Sequence, residues 1–188
     1  MGVPTSGPVA ATGPNTEWRA FVSKIIETVE VDVPVRVAYD QWTQFESFPK
    51  FMEGIERVVQ VDDTTLEWTA SIAGQVKHWR AEITEQRPDE VVAWRSTEGA
   101  RNDGAVAFEP LGAGRTRLEL QLDVEPEGVV EKAGDALGVV ERRVRGDLER
   151  FKAFVESRGQ STGAWRGTVD DGRVESGSEP GHGTGIRG

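Results

Sequence analysis

Residues 130–155 constrain the fold more than any other part of this chain. Val130, Ala133, Leu137, Val140, Val144, Leu148, Phe151 and Val155 recur at three- and four-residue steps, while Arg142, Arg143, Glu149 and Arg150 fall elsewhere on the wheel. That spacing predicts one long amphipathic helix whose apolar stripe must lie on something. The large partner available is the run of alternating segments before it. Leu118, Leu120, Leu122 and Val124 alternate with Arg117, Glu119, Gln121 and Asp123, the pattern of a strand with one buried and one wet face. Together they predict a sheet curved around a long helix, an arrangement able to enclose a pocket.

The remaining elements follow from local pattern and punctuation. Ile25, Val29, Val31 and Val33 share a face of a first strand over residues 23–33, which stops at Pro34; Glu27 interrupts that face. Short helices are expected at 34–43, with proline in the first turn, and at 45–52. Further strands are expected at 55–61, 65–72, 75–86, 90–97, 101–109 and 116–124. Asp62-Asp63, Ala73-Gly74, Pro88-Asp89, Glu98-Gly99 and Gly112-Ala113-Gly114 separate them, each short enough for a hairpin. The expected class is α+β: a curved antiparallel sheet of six to seven strands around a long C-terminal helix, with two short helices after the first strand.

Residues 1–16 are rich in Gly, Pro, Ala and Thr without periodicity and read as a disordered leader. Residues 159–188, dominated by Gly, Ser, Asp and Glu, read as a disordered tail, which leaves the domain at 17–158. A formal charge of −10 opposes approach to nucleic-acid phosphates or anionic lipid surfaces. Cysteine is absent, so disulfides, thiol nucleophiles and thiolate metal sites are excluded. No stretch approaches the roughly 20 apolar residues of a membrane span, and a cytoplasmic location is expected. His78 and His182 cannot supply a metal triad, and no cofactor is expected. Nothing in the pattern selects an oligomeric state.

Three segments carry a resemblance: VEVDVPVRVAYDQWTQFESFPKFMEGIERV at 29–58, WTASIAGQVKHWRAEITEQRPDEVVAWRS at 68–96 and VEKAGDALGVVERRVRGDLERFKAFVESRG at 130–159. The chain resembles the START-like superfamily, also called SRPBCC or helix-grip proteins, of the polyketide cyclase/dehydrase and coenzyme Q-binding type. The likeness implies the helix-grip fold and a hydrophobic small-molecule partner: a lipid, quinone or polyketide-like compound. It also implies a cavity mouth formed by the first half of the long helix and its facing loops. In aromatase/cyclase relatives, Arg and Tyr side chains guide enolisation and dehydration of a poly-ketone chain, but no such set aligns here residue by residue.

With the Leu118 face inward, Leu66, Trp68, Ala70 and Ile72 share that side with Trp79, Ala81 and Ile83, and Trp94 and Phe108 join them. Each indole buries about 150–250 Å² and carries one N–H donor. Core packing is the default for any single tryptophan; several on one concave face favour a pocket. The candidate ligand-binding residues are therefore Trp42, Phe45, Trp68, Trp79, Trp94, Phe108, Leu120, Gly134, Leu137 and Gly138. The two glycines sit one turn apart where each costs about 1 kcal/mol relative to alanine, which points either to close helix–sheet packing or to room for a ligand. Glu27, in an inward register, needs a partner such as Arg80 or Arg95, or else pairs at the strand surface. The Arg142-Arg143-Val144-Arg145 run reads as a solvated face with a Glu141–Arg145 pair. Tyr39 points into a pocket or onto the outer helix face. The expected function is binding of a hydrophobic small molecule, with a polyketide cyclase/dehydratase and a ligand-free interaction or stress-related module as alternatives.

Overall fold

A computed structural model describes residues 25–72, 74–124 and 133–175, with the backbone alone at 124 and 133–137. Strand β1 (Ile25–Val31) leads to helix α1 (Val35–Trp42) and a 3-10 helix (Phe45–Lys50). A meander follows: β2 (Ile55–Gln60), β3 (Thr65–Ile72), β4 (Gln75–Arg87), β5 (Val91–Gly99), β6 (Asn102–Gly112) and β7 (Arg115–Val124). Helix α2 (Ala133–Arg158) then precedes two short strands, β8 (Thr168–Asp170) and β9 (Arg173–Glu175). This is the helix-grip architecture that the alternation and the long amphipathic stripe imply.

Sheet order is β1-β7-β6-β5-β4-β3-β2, with every pairing antiparallel. Turn residues fix the register. Gly74 and Gly99 take positive φ of 76° and 82°, and a Cβ at Gly99 would meet the His78 carbonyl oxygen at 2.3 Å, so the backbone there requires glycine. Leu66, Ala70, Ala81, Ile83, Leu118, Leu120 and Leu122 are buried, as strict alternation demands. Pro34 occupies the N-cap of α1 without a side-chain hydrogen bond, and its carbonyl accepts from Val37 N–H at 2.9 Å. The Asp32 backbone N–H just before it donates to Glu156 on α2 at 2.7 Å.

Polar ties seat α2. Arg145 grips Glu27 through both oxygens at 2.7 and 3.2 Å, and Lys152 Nζ donates to the Glu30 carbonyl at 2.6 Å. Glu27 therefore finds its partner on the helix and not among the strand arginines; Arg80 pairs with Glu67 and Arg95 with Glu82. The Glu141–Arg145 pair forms at 3.2 Å. Val144, Leu148, Phe151 and Val155 bury the stripe.

The expected disordered tail is ordered over residues 159–175. Strand β3 pairs with β4 only as far as Glu82, and β8 takes the vacant edge beyond it at Glu85 and Gln86. Val169 is fully buried there, and Trp165 packs on the core. Arg166 bonds Asp40 and Asp89, each at 2.6 Å. The expected leader and His182 lie outside the described residues.

Candidate functional site

Sheet and α2 leave a cavity of about 590 Å³ between them, inside the range of about 300–1,000 Å³ typical of small-molecule sites. Its sheet wall is built by Leu66, Trp68 and Ala70 of β3, Trp79 and Ile83 of β4, Val92 and Trp94 of β5, and Leu120 and Leu122 of β7. The 3-10 helix and its flanks contribute Phe45, Phe48 and Met52, α1 contributes Trp42, and α2 contributes Val140, Val144 and Leu148.

Cross-strand geometry sets the aromatic surface. Trp68 and Trp79 face each other across β3 and β4, so their rings stack 5.5 Å apart and 11° from parallel. Phe48 meets Trp68 at 5.6 Å and Trp42 at 5.5 Å, which extends the aromatic lining from the sheet to the short helices. Trp94 stands opposite Gly104, where a Cβ would lie 2.7 Å from its ring; glycine makes the room the indole needs. The Trp68 Nε1–H is buried with no acceptor among the described residues, an arrangement rare for a donor that nothing else will satisfy.

Charge gathers on the α2 side. Asp147 lines the cavity, accepts the Glu53 N–H at 2.8 Å and pairs with Arg150, whose Nε donates to the Phe51 carbonyl. Burial pushes the Asp147 carboxyl above its ordinary range, and the Glu53 amide, Arg150 and Arg143 pull it back only in part. Arg143, Lys77 and Arg101 also reach the lining. A separate hollow of about 740 Å³, between Thr43, Glu46, Asp62 and Trp165, is lined mainly by polar side chains.

Of the residues singled out from sequence, Trp42, Phe45, Trp68, Trp79, Trp94 and Leu120 meet at the cavity. Phe108 does not line it; it packs edge-on against Tyr39 at 5.4 Å and Trp42 at 6.5 Å. Gly134 and Leu137 fall where side chains lie outside the described residues. Gly138 is not in the lining, and a Cβ there would meet only Arg142 Nη1, at 3.9 Å, so close packing against the sheet does not explain it. Tyr39 points into the core, and its hydroxyl accepts from Gln86 Nε2 at 3.0 Å. Sequence reasoning missed Phe48, Met52, Arg143 and Asp147. Phe48 stands three residues from Phe45 and Arg143 three from Val140, so helical spacing could have placed both on their neighbours' faces.

The family model for polyketide cyclase / dehydrase and lipid transport matches residues 31–153. The chain belongs to this family. An uncharacterised 17.2 kDa protein of Streptomyces lincolnensis is 54% identical over 149 residues, covering 79% of this chain and 99% of that one. A crystal structure from Deinococcus radiodurans superposes with TM-score 0.58 at 27% identity, over 71% of this chain and 97% of that chain. The ZhuI aromatase/cyclase of a Streptomyces species shares the fold at TM-score 0.61 and 20% identity, over 75% and 98%. Among the described residues, no helix is long and apolar enough to cross a membrane, and no acidic or histidine cluster could hold a metal ion.

Proposed function

We propose that this family member binds a hydrophobic small molecule, a lipid, quinone or polyketide-like compound, between the sheet and α2. The observation that carries the reading is the 590 Å³ cavity walled by stacked Trp68 and Trp79 with Trp42, Trp94, Phe45 and Phe48. Each 100 Å² of apolar ligand surface removed from water there contributes about 2.5 kcal/mol before the losses of immobilisation. A ligand oxygen near Trp68 would also give its indole N–H the acceptor that no described residue supplies.

Native mass spectrometry of protein purified without detergent, followed by organic extraction, tests this. A stoichiometric adduct whose occupancy falls in Trp79→Ala supports the reading. A bare chain mass, with no thermal shift from any lipid, quinone or aromatic polyketide offered, overturns it.

Asp147 favours a second reading, a cyclase or dehydratase. It puts on the cavity wall a carboxyl whose proton affinity burial has raised, the property that acid–base chemistry requires. Its bonds to Arg150 and the Glu53 amide rank that reading below binding, because they give the same carboxyl a structural duty. Turnover of a poly-ketone substrate that Asp147→Asn abolishes without loss of binding would reverse the ranking.

A further inference from the structure

The arginines of this acidic chain are mostly matched with carboxylates. Arg80 pairs with Glu67, Arg95 with Glu82, Arg115 and Arg117 with Glu30, Arg145 with Glu27, and Arg166 with Asp40 and Asp89. Arg143 departs from that pattern at the rim of the cavity. It is half-buried and lines the cavity, yet makes no hydrogen bond or salt bridge to any described residue. Asp147, one turn on, feels its charge, but that carboxylate is already engaged by the Glu53 amide and Arg150. The Arg143 Nη1 atom reaches toward the turn facing α2, 3.7 Å from where a Cβ on Gly54 would stand. Lys77 adds a second cation to the same lining from β4.

Partial burial of a guanidinium that no carboxylate bonds directly is unfavourable. A chain with 32 acidic residues has ample means to supply one, and supplies it to the arginines named above. Glu53, Asp147 and Arg101 also reach the lining, and most of the remaining wall is aliphatic and aromatic, so the site is apolar over most of its surface with Arg143 the half-buried cation that no carboxylate bonds. A guanidinium fork matches a carboxylate in two parallel hydrogen bonds. We infer that the ligand of this cavity is an amphiphile with one anionic end, its apolar body against Trp68, Trp79 and Trp94 and its acidic group held by Arg143. The inference rests on the cavity reading above and names the chemistry of its ligand.

The test is titration of tryptophan fluorescence in the full chain with a chain-length series of straight-chain fatty acids and the matching n-alkanols, at about pH 8 where the acids are ionised. The acids are expected to bind about tenfold more tightly than the alcohols, since one charge-assisted pair at a half-exposed site is worth about that factor. Arg143→Gln removes the preference and leaves alcohol binding intact, which also reports that the variant is folded. Arg142→Gln makes the same charge change at the exposed neighbour and alters neither series. Equal affinity for acid and alcohol in the parent chain overturns the inference and leaves the cavity standing, as does an Arg143→Gln effect of the same size on both. Failure of both series to bind at any length overturns this inference, and the native mass spectrum above then decides the cavity reading by itself.

Discussion

Tyr39 is the chain's only tyrosine, and its ring is fully buried, edge-on to Phe108 and with the Arg166 guanidinium 5.6 Å from its centre. Burial pushes its phenol up to about 12; the Gln86 amide and Arg166 pull downward and are outweighed. In the unfolded chain the same group loses its proton near its ordinary value of about 10. Between those values the native state holds the extra proton, so stability falls as pH rises through the window, by at most about 1.4 kcal/mol per pH unit from this group. Ultraviolet phenolate absorbance reads Tyr39 alone: the native chain should reach half-ionisation near 12 and the urea-unfolded chain near 10. Coincident titrations would show that the ring is not sealed in. Residue-scale pairings such as this one were poorly legible in the sequence. Tyr39 finds Gln86 47 positions away and Glu27 finds Arg145 118 positions away, separations at which spacing carries no information.

At the scale of elements, the ordered segment after α2 is a clasp. Strand β8 completes the free edge of β4, Val169 is buried beneath it, and Arg166 bridges Asp40 of α1 and Asp89 of the β4–β5 turn. Asp40 is 4% exposed, and its other cationic partner, Arg36, stands 3.6 Å away with a well-exposed side chain. Arg166→Gln should therefore destabilise the fold by about 1–3 kcal/mol, less than a fully buried pair because Arg166 is itself partly exposed. Urea unfolding with the slope unchanged measures it; the companion variant Arg166→Gln/Asp40→Asn should recover part of the loss. A midpoint unmoved by Arg166→Gln would reduce the clasp to a surface contact. The meander and the long helix were legible because alternation and three-to-four spacing are written within single elements. Strands β8 and β9, three residues each among glycines and aspartates, have no room for a period. β8 lies on the unpaired edge of β4 and β9 on β8, so their place is a property of the sheet and not of their own residues.

For the whole molecule, the question that matters is whether sheet and α2 enclose open space or a solid core. The tryptophans on the inward face were visible in the sequence, but volume was not, since the same side chains fill a core or line a hollow according to how far the helix stands off. Two buried alanines separate these states. Ala70 of β3 lines the cavity, whereas Ala81 of β4 is equally inaccessible, outside the lining, and paired with Leu66 and Ser96 on its neighbouring strands. A leucine at Ala81 must displace packed neighbours and should cost about 1–3 kcal/mol. A leucine at Ala70 extends into the open volume, so Ala70→Leu should stay within about 1 kcal/mol of the parent while weakening any hydrophobic ligand by occupying its place. Denaturant unfolding of the two variants beside ligand titration of Ala70→Leu makes the comparison. Equal destabilisation by both would mean a filled interior. A tolerated Ala70→Leu with impaired binding would mean that the space between sheet and helix is where the ligand lies, because the stability spared and the affinity lost come from the same volume.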